Sequence, residues 1–297
     1  MNTLDSFRLD HTRALITGAS RGIGRAVALA FAQAGAQLAL SARSEQALKA
    51  TAEQVAALGA SAVLVPGDLA VPDEPGWVVD EAARLLGGLD VVVHNAGILP
   101  SLPDGTPLLT PLQLLPQQAW DEVLAVNLNA TAALCRHAHR HLATSAASAA
   151  SAASGEARGT TRDTASLVLM SSLAGVIGTP MMEAYAASKA AQISLARSLA
   201  VGWARQGIRV NALCPGWTRT DMTAFAHTNG PLSDWLLAHV PLGRWADPEE
   251  VAAAALFLAS PAAGYLTGQA LLLDGGVSVP DGGLSGIPKP PSPFGPA

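Results

Sequence analysis

Short apolar runs alternate with helical periodicity along almost the whole chain, and the first run passes straight into a glycine-rich turn, TGASRGIG, at 17 to 24. Parallel neighbours need a crossover long enough to hold a helix, so this alternation predicts a parallel sheet covered on both faces. The runs place strands at 14 to 17, 38 to 41, 62 to 65, 89 to 94, 167 to 170, 208 to 213 and 270 to 273. Helices are expected from the glycine turn to Gly35, from Ser44 to Gly59, and over 117 to 142, 183 to 205 and 248 to 259. Gly35 and Gly59 stand where a left-handed cap ends a helix. Apolar residues make up 49% of the 297 and charged ones 14%, against roughly 25% charged in a typical soluble chain, which allows one large core. The expected architecture is α/β, a doubly wound parallel sheet in a single domain over 1 to 278.

Several function classes are excluded at this stage. A net charge of -5 without a basic block gives no surface for nucleic acid. The longest uncharged stretch, 251 to 273, is interrupted by Pro261, Gly264 and Gly268, and Asp5, Arg8 and Asp10 precede any apolar run, so neither a membrane span nor a signal peptide is expected. Cys135 and Cys214 form no disulfide framework and no metal spacing, which suits a reducing, cytoplasmic setting. Two segments break the rhythm. The Ala/Ser/Thr/Gly-rich stretch 144 to 166 reads as a flexible insertion, and the Pro/Gly-rich tail 279 to 297 as disordered or an arm packed on a neighbour.

In the glycine turn, Gly18, Gly22 and Gly24 permit tight turning and close backbone approach at a helix N-terminus, where a pyrophosphate is favoured. Ser20, Arg21 and Ile23 complete the turn. This is the setting of a Rossmann-type dinucleotide site, although the glycine spacing differs from G-x-G-x-x-G and a plain strand-to-helix turn gives the same cluster. The second strand discriminates between cofactors, because an NAD site expects an acid there and an NADP site an arginine. Ala42 occupies the acid's place, and Arg43 follows it. Glu45 is the competing acid, but after Ser44 as N-cap it falls in the first helical turn, where a carboxylate complements the dipole. The expected cofactor is therefore NADP(H), with Arg21 and Arg43 on the 2′-phosphate. NAD and a bland surface role for both arginines remain the alternatives.

Tyr185 and Lys189 are one helical turn apart and share a face. A nearby cation favours phenolate, so the pair predicts a tyrosine with a lowered pKa that works as acid or base. Ser172 ends the strand LVLMSS at the carboxyl edge of the sheet, where open α/β sheets bind ligands. An exposed helix face would carry the same Tyr and Lys without chemistry.

In combination these motifs resemble the short-chain dehydrogenases/reductases in their single-domain form. TGASRGIG, Asp68 and Leu69, the NAG at 95 to 97, Asn127, Ser172, Tyr185 with Lys189, PGWTRT at 215 to 220 and DGG at 274 to 276 occur in that family's order. The look is closest to 3-oxoacyl carrier-protein reductases and gluconate 5-dehydrogenases. The resemblance implies that Tyr185 protonates the substrate oxygen, that Ser172 orients it, and that Lys189 holds the nicotinamide ribose and depresses the tyrosine pKa. It further implies that Asn127 bends its helix and holds a water linking Lys189 to solvent. Asp68 and Leu69 would meet the adenine, and Asn95, Ala96 and Gly97 the adenosine side. Pro215, Gly216, Thr218 and Thr220 would fix the carboxamide. A lid at 222 to 245, a homotetramer or homodimer through the two long helices, and a small-molecule carbonyl or alcohol substrate are likewise implied.

His94 departs from the asparagine common before NAG in this family, and the stretch 99 to 116 follows the fourth strand where it is placed to line a substrate cleft. His137 and His141 have the spacing of two zinc ligands on one helix, but with no nearby acid or cysteine they read as a solvated cluster, and no metal is expected. The leading expectation is an NADPH-dependent oxidoreductase acting on a ketone or aldehyde. An NAD-dependent alcohol or sugar-acid dehydrogenase and a non-catalytic NADP-binding regulator are the alternatives.

Overall fold

The computed structural model describes residues 3–102, 104–153 and 165–279. Seven parallel strands form one sheet in the order β3-β2-β1-β4-β5-β6-β7. They are β1 (Arg13–Thr17), β2 (Gln37–Ser41), β3 (Ala62–Leu64), β4 (Val91–His94), β5 (Ala165–Met170), β6 (Ile208–Pro215) and β7 (Ala270–Leu273). All seven were legible as apolar runs, because strands covered on both faces need no polar alternation. Side chains still alternate between two cores. Leu15, Val92, Leu167 and Leu169 face one cluster, and Ile16, Val93, Val168 and Met170 the other.

Three helices cover the second of these cores: α1 (Gly22–Gln33), α2 (Glu45–Ala57) and, from late in the chain, Pro248–Ala259. The opposite face is covered by α3 (Glu74–Leu86), by the long helix that begins as α4 (Gln117–Leu124) and resumes as α5 (Ala130–Ala153), and by α6 (Glu183–Trp203). Two short helices, α7 (Ala224–His227) and α8 (Gly230–Leu237), precede the last one, α9 (Pro248–Ala259), and share a small apolar cluster of Ala226, Leu236 and Trp245. Arg209 on β6 is buried and donates to the carbonyls of Leu258, Ala259 and Ser260, at 2.8, 3.3 and 3.2 Å, which ties the C-terminus of α9 to the sheet.

Three features differ from expectation. A helix, α3, forms where none was expected, and its first turn carries Pro75 and Gly76. Proline is tolerated in a first turn, where the missing N–H has no partner anyway, and Gly76 makes room for a neighbour, since a Cβ there would lie 2.5 Å from His137 Nε2. The helix expected over 117 to 142 is real but contains a π turn at Ala125–Asn129. It also runs on to Ala153, so 144 to 153 is helix rather than flexible insertion. Alanine is the best helix former, and Leu142 and Ala146 continue the buried stripe of Leu134 and Ala138 into the core. At the far end of that expected insertion, Ala165 and Ser166 already belong to β5, while 154 to 164 and the tail from 280 lie outside the described residues.

Ala146→Gly tests this extension of the helix. It removes helix propensity worth about 1 kcal/mol and a buried methyl worth about 0.8 kcal/mol, so urea unfolding should show a loss of about 1–2 kcal/mol. A change within about 0.5 kcal/mol, as at an exposed site with no special role, would contradict it.

Candidate active site

The sheet order reverses between β1 and β4, and the crevice that this creates at the carboxyl ends of the strands is where open α/β sheets bind ligands. A cleft of about 1060 Å³ opens there. At its floor, Gly18 and Gly22 adopt left-handed φ of 66° and 52°. A Cβ on Gly24 would fall 2.1 Å from the Gly18 carbonyl oxygen, and one on Gly18 would fall 2.8 Å from Asn95 Nδ2. Asn95 braces the turn by donating to the carbonyls of Thr17 and Gly18 at 3.2 and 3.3 Å. Thr51 on α2 donates to the Ala19 carbonyl at 3.1 Å. The turn is thus fixed from two sides with its backbone close against the cleft, the shape a pyrophosphate requires.

Beside the turn, the end of β2 presents Ser41, Ala42 and Arg43 to the cleft. Glu45 does not line it. Ser44 caps α2 by accepting from the Ala47 amide at 3.2 Å, and Glu45 pairs with Lys49 at 3.0 Å. Arg21 also lines the cleft, in an exposed pair with Asp221 at 3.2 Å. Ser41 Oγ is buried without a partner among the described residues. A dinucleotide with an extra phosphate fits this set, because two guanidinium groups line the cleft beside the glycine turn and the end of β2, and one buried hydroxyl there lacks a bond among the described residues.

Across the cleft stand Ser172, just beyond β5, and Tyr185 and Lys189 on α6. Lys189 Nζ lies 5.5 Å from the centroid of the Tyr185 ring, above its face. It donates to the Met170 carbonyl at 2.7 Å and to Gln192 Oε1 at 3.2 Å. Burial pushes the lysine down to about 8, with the Cys214 thiol acting in the opposite sense. The expected depression of the tyrosine is not present. Burial pushes Tyr185 up to about 12, offset only in part by its bond with Ser172. The ammonium faces the ring and two carbonyl-type oxygens, so desolvation of the phenolate prevails over its attraction.

Asn127 sits in the π turn, fully buried. Its side chain grips the strand-to-loop backbone, accepting from Ile98 N at 2.8 Å and donating to Ile98 O at 2.9 Å. Its main-chain carbonyl accepts from Thr131 Oγ1 at 2.7 Å and from Gln192 Nε2 at 2.8 Å. A carbonyl oxygen has two lone pairs, and both are taken by side chains of this protein.

Of the residues expected at the site, Gly18, Ser20, Arg21, Ile23, Arg43, Asp68, Leu69, Asn95, Ala96, Gly97, Ser172, Tyr185, Lys189, Pro215, Gly216, Thr218 and Thr220 line the cleft. Gly22, Gly24 and Asn127 stand behind its wall. The stretch 99 to 116 contributes only Leu99 among the described residues, because Leu108 N bonds back to Pro100 O at 2.8 Å and folds the loop on itself. Trp217 is both wall and core, edge-on to Trp245 with centroids 5.6 Å apart. Gln192 went unnoticed in the sequence, although Tyr185, Ser188, Lys189, Gln192, Ile193 and Ala196 form one buried helical stripe whose spacing would have placed it inside.

The histidine cluster also differs from expectation. Asp80 on α3 supplies the acid that sequence proximity did not show, bonding His137 Nδ1 at 2.9 Å, His141 Nε2 at 2.8 Å and also Arg140. Burial raises the Asp80 pKa, and these three partners outweigh it, leaving it lowered. With a guanidinium in the cluster this is a surface ion-pair network, and no group suited to a metal occurs among the described residues. No described helix is long and apolar enough to cross a membrane.

Comparison with known proteins agrees with this geometry. A family model described as enoyl-(acyl carrier protein) reductase matches residues 18–278. Gluconate 5-dehydrogenase of Gluconobacter oxydans is 31% identical over 94% of this chain and 99% of its own length. The 3-oxoacyl-[acyl-carrier-protein] reductase of Staphylococcus aureus is 32% identical over 89% and 97%. A gluconate 5-dehydrogenase from Burkholderia cenocepacia, crystallised with NADP and tartrate, superposes with a TM-score of 0.82 at 30% identity, covering 94% of this chain and 100% of that one. The fold and site therefore define an oxidoreductase of the nucleotide-binding α/β class. The chain belongs to the short-chain dehydrogenase/reductase family.

One consequence of the site concerns stability. Burial, then the Lys189 charge, pushes His94 down to about 3. Below pH about 6.5 the unfolded chain binds a proton that the folded one refuses, so stability falls on acidification. His94 contributes a slope of up to about 1.4 kcal/mol per pH unit in that window. His94→Asn should flatten the profile of urea stability between pH 6.5 and 4; an unchanged slope would show that His94 protonates in the folded state.

Proposed function

We propose that the protein is an NADPH-dependent carbonyl reductase that converts a ketone or aldehyde reversibly to an alcohol. The observation that carries this reading is that Tyr185, Ser172 and Lys189 open into the same cleft as the glycine turn, Arg21 and Arg43. When bound, the cofactor supplies hydride to the carbonyl carbon, and the overall balance is carbonyl, NADPH and a proton giving alcohol and NADP+. Tyr185 donates its phenolic proton to the carbonyl oxygen, and Ser172 holds that oxygen by a hydrogen bond. Lys189 keeps an ammonium beside the phenol and a donor for the nicotinamide ribose. The backbone from Gly18 to Gly24 would hold the pyrophosphate, and Arg21 and Arg43 the 2′-phosphate. Asp68, Leu69, Asn95, Ala96 and Gly97 would hold the adenosine, and Pro215, Gly216, Thr218 and Thr220 the carboxamide.

The reactive end is walled by Leu99, Ile177, Met182, Trp217, Met222 and Phe225, and the cations among the lining residues are Arg21, Arg43 and Lys189. This favours an uncharged carbonyl compound with apolar flanks over a sugar acid, whose carboxylate would need a cation of its own. The segment 222 to 245 acts as a substrate lid. Val201 on α6 is 85% exposed, which suits assembly into a dimer or tetramer through the long helices, and the two buried free cysteines suit the cytoplasm.

Three measurements test this reading. NADPH oxidation with a panel of apolar ketones, β-keto esters and keto-sugar acids should show turnover greatest with the first two. Binding of NADPH without turnover on any carbonyl would leave a regulator instead. Tyr185→Phe should lower kcat/KM about 10²–10⁴-fold with NADPH affinity nearly unchanged, and retained turnover would remove the assigned role. The double change Ala42→Asp with Arg43→Ala should turn preference from NADPH to NADH; if selectivity survives, the 2′-phosphate is read elsewhere.

A further inference from the structure

Behind the reactive wall runs a chain of buried side chains that the family resemblance does not supply. His94 Nδ1 lies 2.9 Å from Thr17 Oγ1, and His94 Nε2 lies 2.9 Å from Thr131 Oγ1. Gln192 Nε2 donates to Thr131 Oγ1 at 3.0 Å and to the Asn127 carbonyl at 2.8 Å. Gln192 Oε1 accepts from Lys189 Nζ. Thr17, His94, Asn127, Thr131 and Gln192 are all fully buried.

Counting donors gives each bond one direction. Thr17 Oγ1 accepts the Asn95 and Ala96 amides, both at 3.1 Å, so its own proton goes to His94 Nδ1. Thr131 gives its proton to the Asn127 carbonyl. Its lone pairs are left for Gln192 and for His94, which must carry its proton on Nε2. Both amide hydrogens of Gln192 are then engaged, and its oxygen is turned to the ammonium. A reversed amide would set an NH2 against Lys189 and an oxygen against the Asn127 carbonyl, leaving two buried clashes of like polarity. Lys189 has three protons, of which Met170 and Gln192 take two, and it lines the cleft with the third.

We propose that Gln192, oriented by the Nε2–H tautomer of His94 through Thr131, is a positioning residue that fixes the Lys189 ammonium and keeps it charged beside Tyr185. This deepens the reductase reading, but its test does not depend on activity. The ionisable groups bearing on Lys189 are Tyr185 on its own helix, Cys214 on β6 and His94 on β4. α4 brings Asp121 and Glu122, both exposed at the cleft edge, and β5 and the π turn carry no ionisable side chain.

The chain has lysines at 49, 189 and 289 alone, so ¹³C-lysine NMR of the unliganded protein can follow Lys189 directly. Gln192→Leu removes an acceptor and should lower its titration midpoint, whereas Gln192→Glu adds a carboxylate and should raise it, the two variants differing by roughly one unit or more. His94→Asn should move the midpoint in the direction of Gln192→Leu, and ¹⁵N-histidine spectra of the wild type should show His94 protonated on Nε2. Equal midpoints in the wild type and in folded Gln192→Glu would overturn the proposal, as would a His94 proton on Nδ1. If Gln192→Leu does not fold, Gln192→Glu and His94→Asn decide. Loss of turnover in Tyr185→Phe has no bearing on these midpoints, so failure here and failure of the reductase reading are told apart.

Discussion

A buried ammonium must be given oxygens or lose its proton, and the wall of this cleft is arranged around that demand at Lys189. The residue is 3% exposed. Its acceptors come from two places that sequence separates, the last carbonyl of β5 and a glutamine one turn further along α6. Reaching the first requires α6 to lie across the carboxyl end of the sheet, and Ser171 secures that crossing by donating to the Lys189 carbonyl at 2.7 Å. Gly175 permits it, since a Cβ there would come 2.7 Å from the Lys189 carbonyl carbon. The lysine therefore fixes a packing angle as well as a charge.

The π turn belongs to the same network, through Gln192. In a regular helix the Asn127 carbonyl would be occupied by the amide four residues on. A π turn changes that pattern locally, and Thr131 and Gln192 bond to this carbonyl from the side. The Asn127 side chain meanwhile holds Ile98 by two bonds, which ties the loop after β4 to the helix opposite it. The cofactor side is braced by comparable means, with Asn95 and Thr51 clamping the glycine turn. Thr17 belongs to both systems, because it receives the amides of Asn95 and Ala96 and passes its proton to His94.

Strands and the main motifs were legible in the sequence because they are local. Seven apolar runs became seven strands, and glycines at 18, 22 and 24 sat in a turn that admits no side chain. What the sequence hid was decided by contact between distant segments. No helix was expected over Glu74–Leu86, where His137 from a distant helix fills the space above Gly76. The Ala/Ser repeat at 144 to 153 looked unstructured because serine and alanine carry little hydrophobic signal, yet Ala146 needs only a methyl to seal its place in the core. Asp80 lies far along the chain from His137 and His141, so their acid could not be read from spacing. His94 read as a small departure from a family pattern, when its significance lies in partners at 17 and 131.

Tyr185 shows why a charged neighbour in the sequence does not by itself settle electrostatics. A lysine one turn away suggested a phenol easily ionised, but a cation lowers a pKa only as far as burial allows. With Tyr185 at about 12 and Lys189 at about 8, both groups hold their protons at neutral pH. In the proposed reaction that resting state is the one that donates, as reduction of a carbonyl requires. Running the proposed reaction toward the carbonyl would first need the phenol to lose its proton inside an apolar wall, a loss that the neighbouring ammonium favours only while it stays charged and close. In the proposed reaction, the arrangement that holds Lys189 therefore sets how readily one site serves both directions.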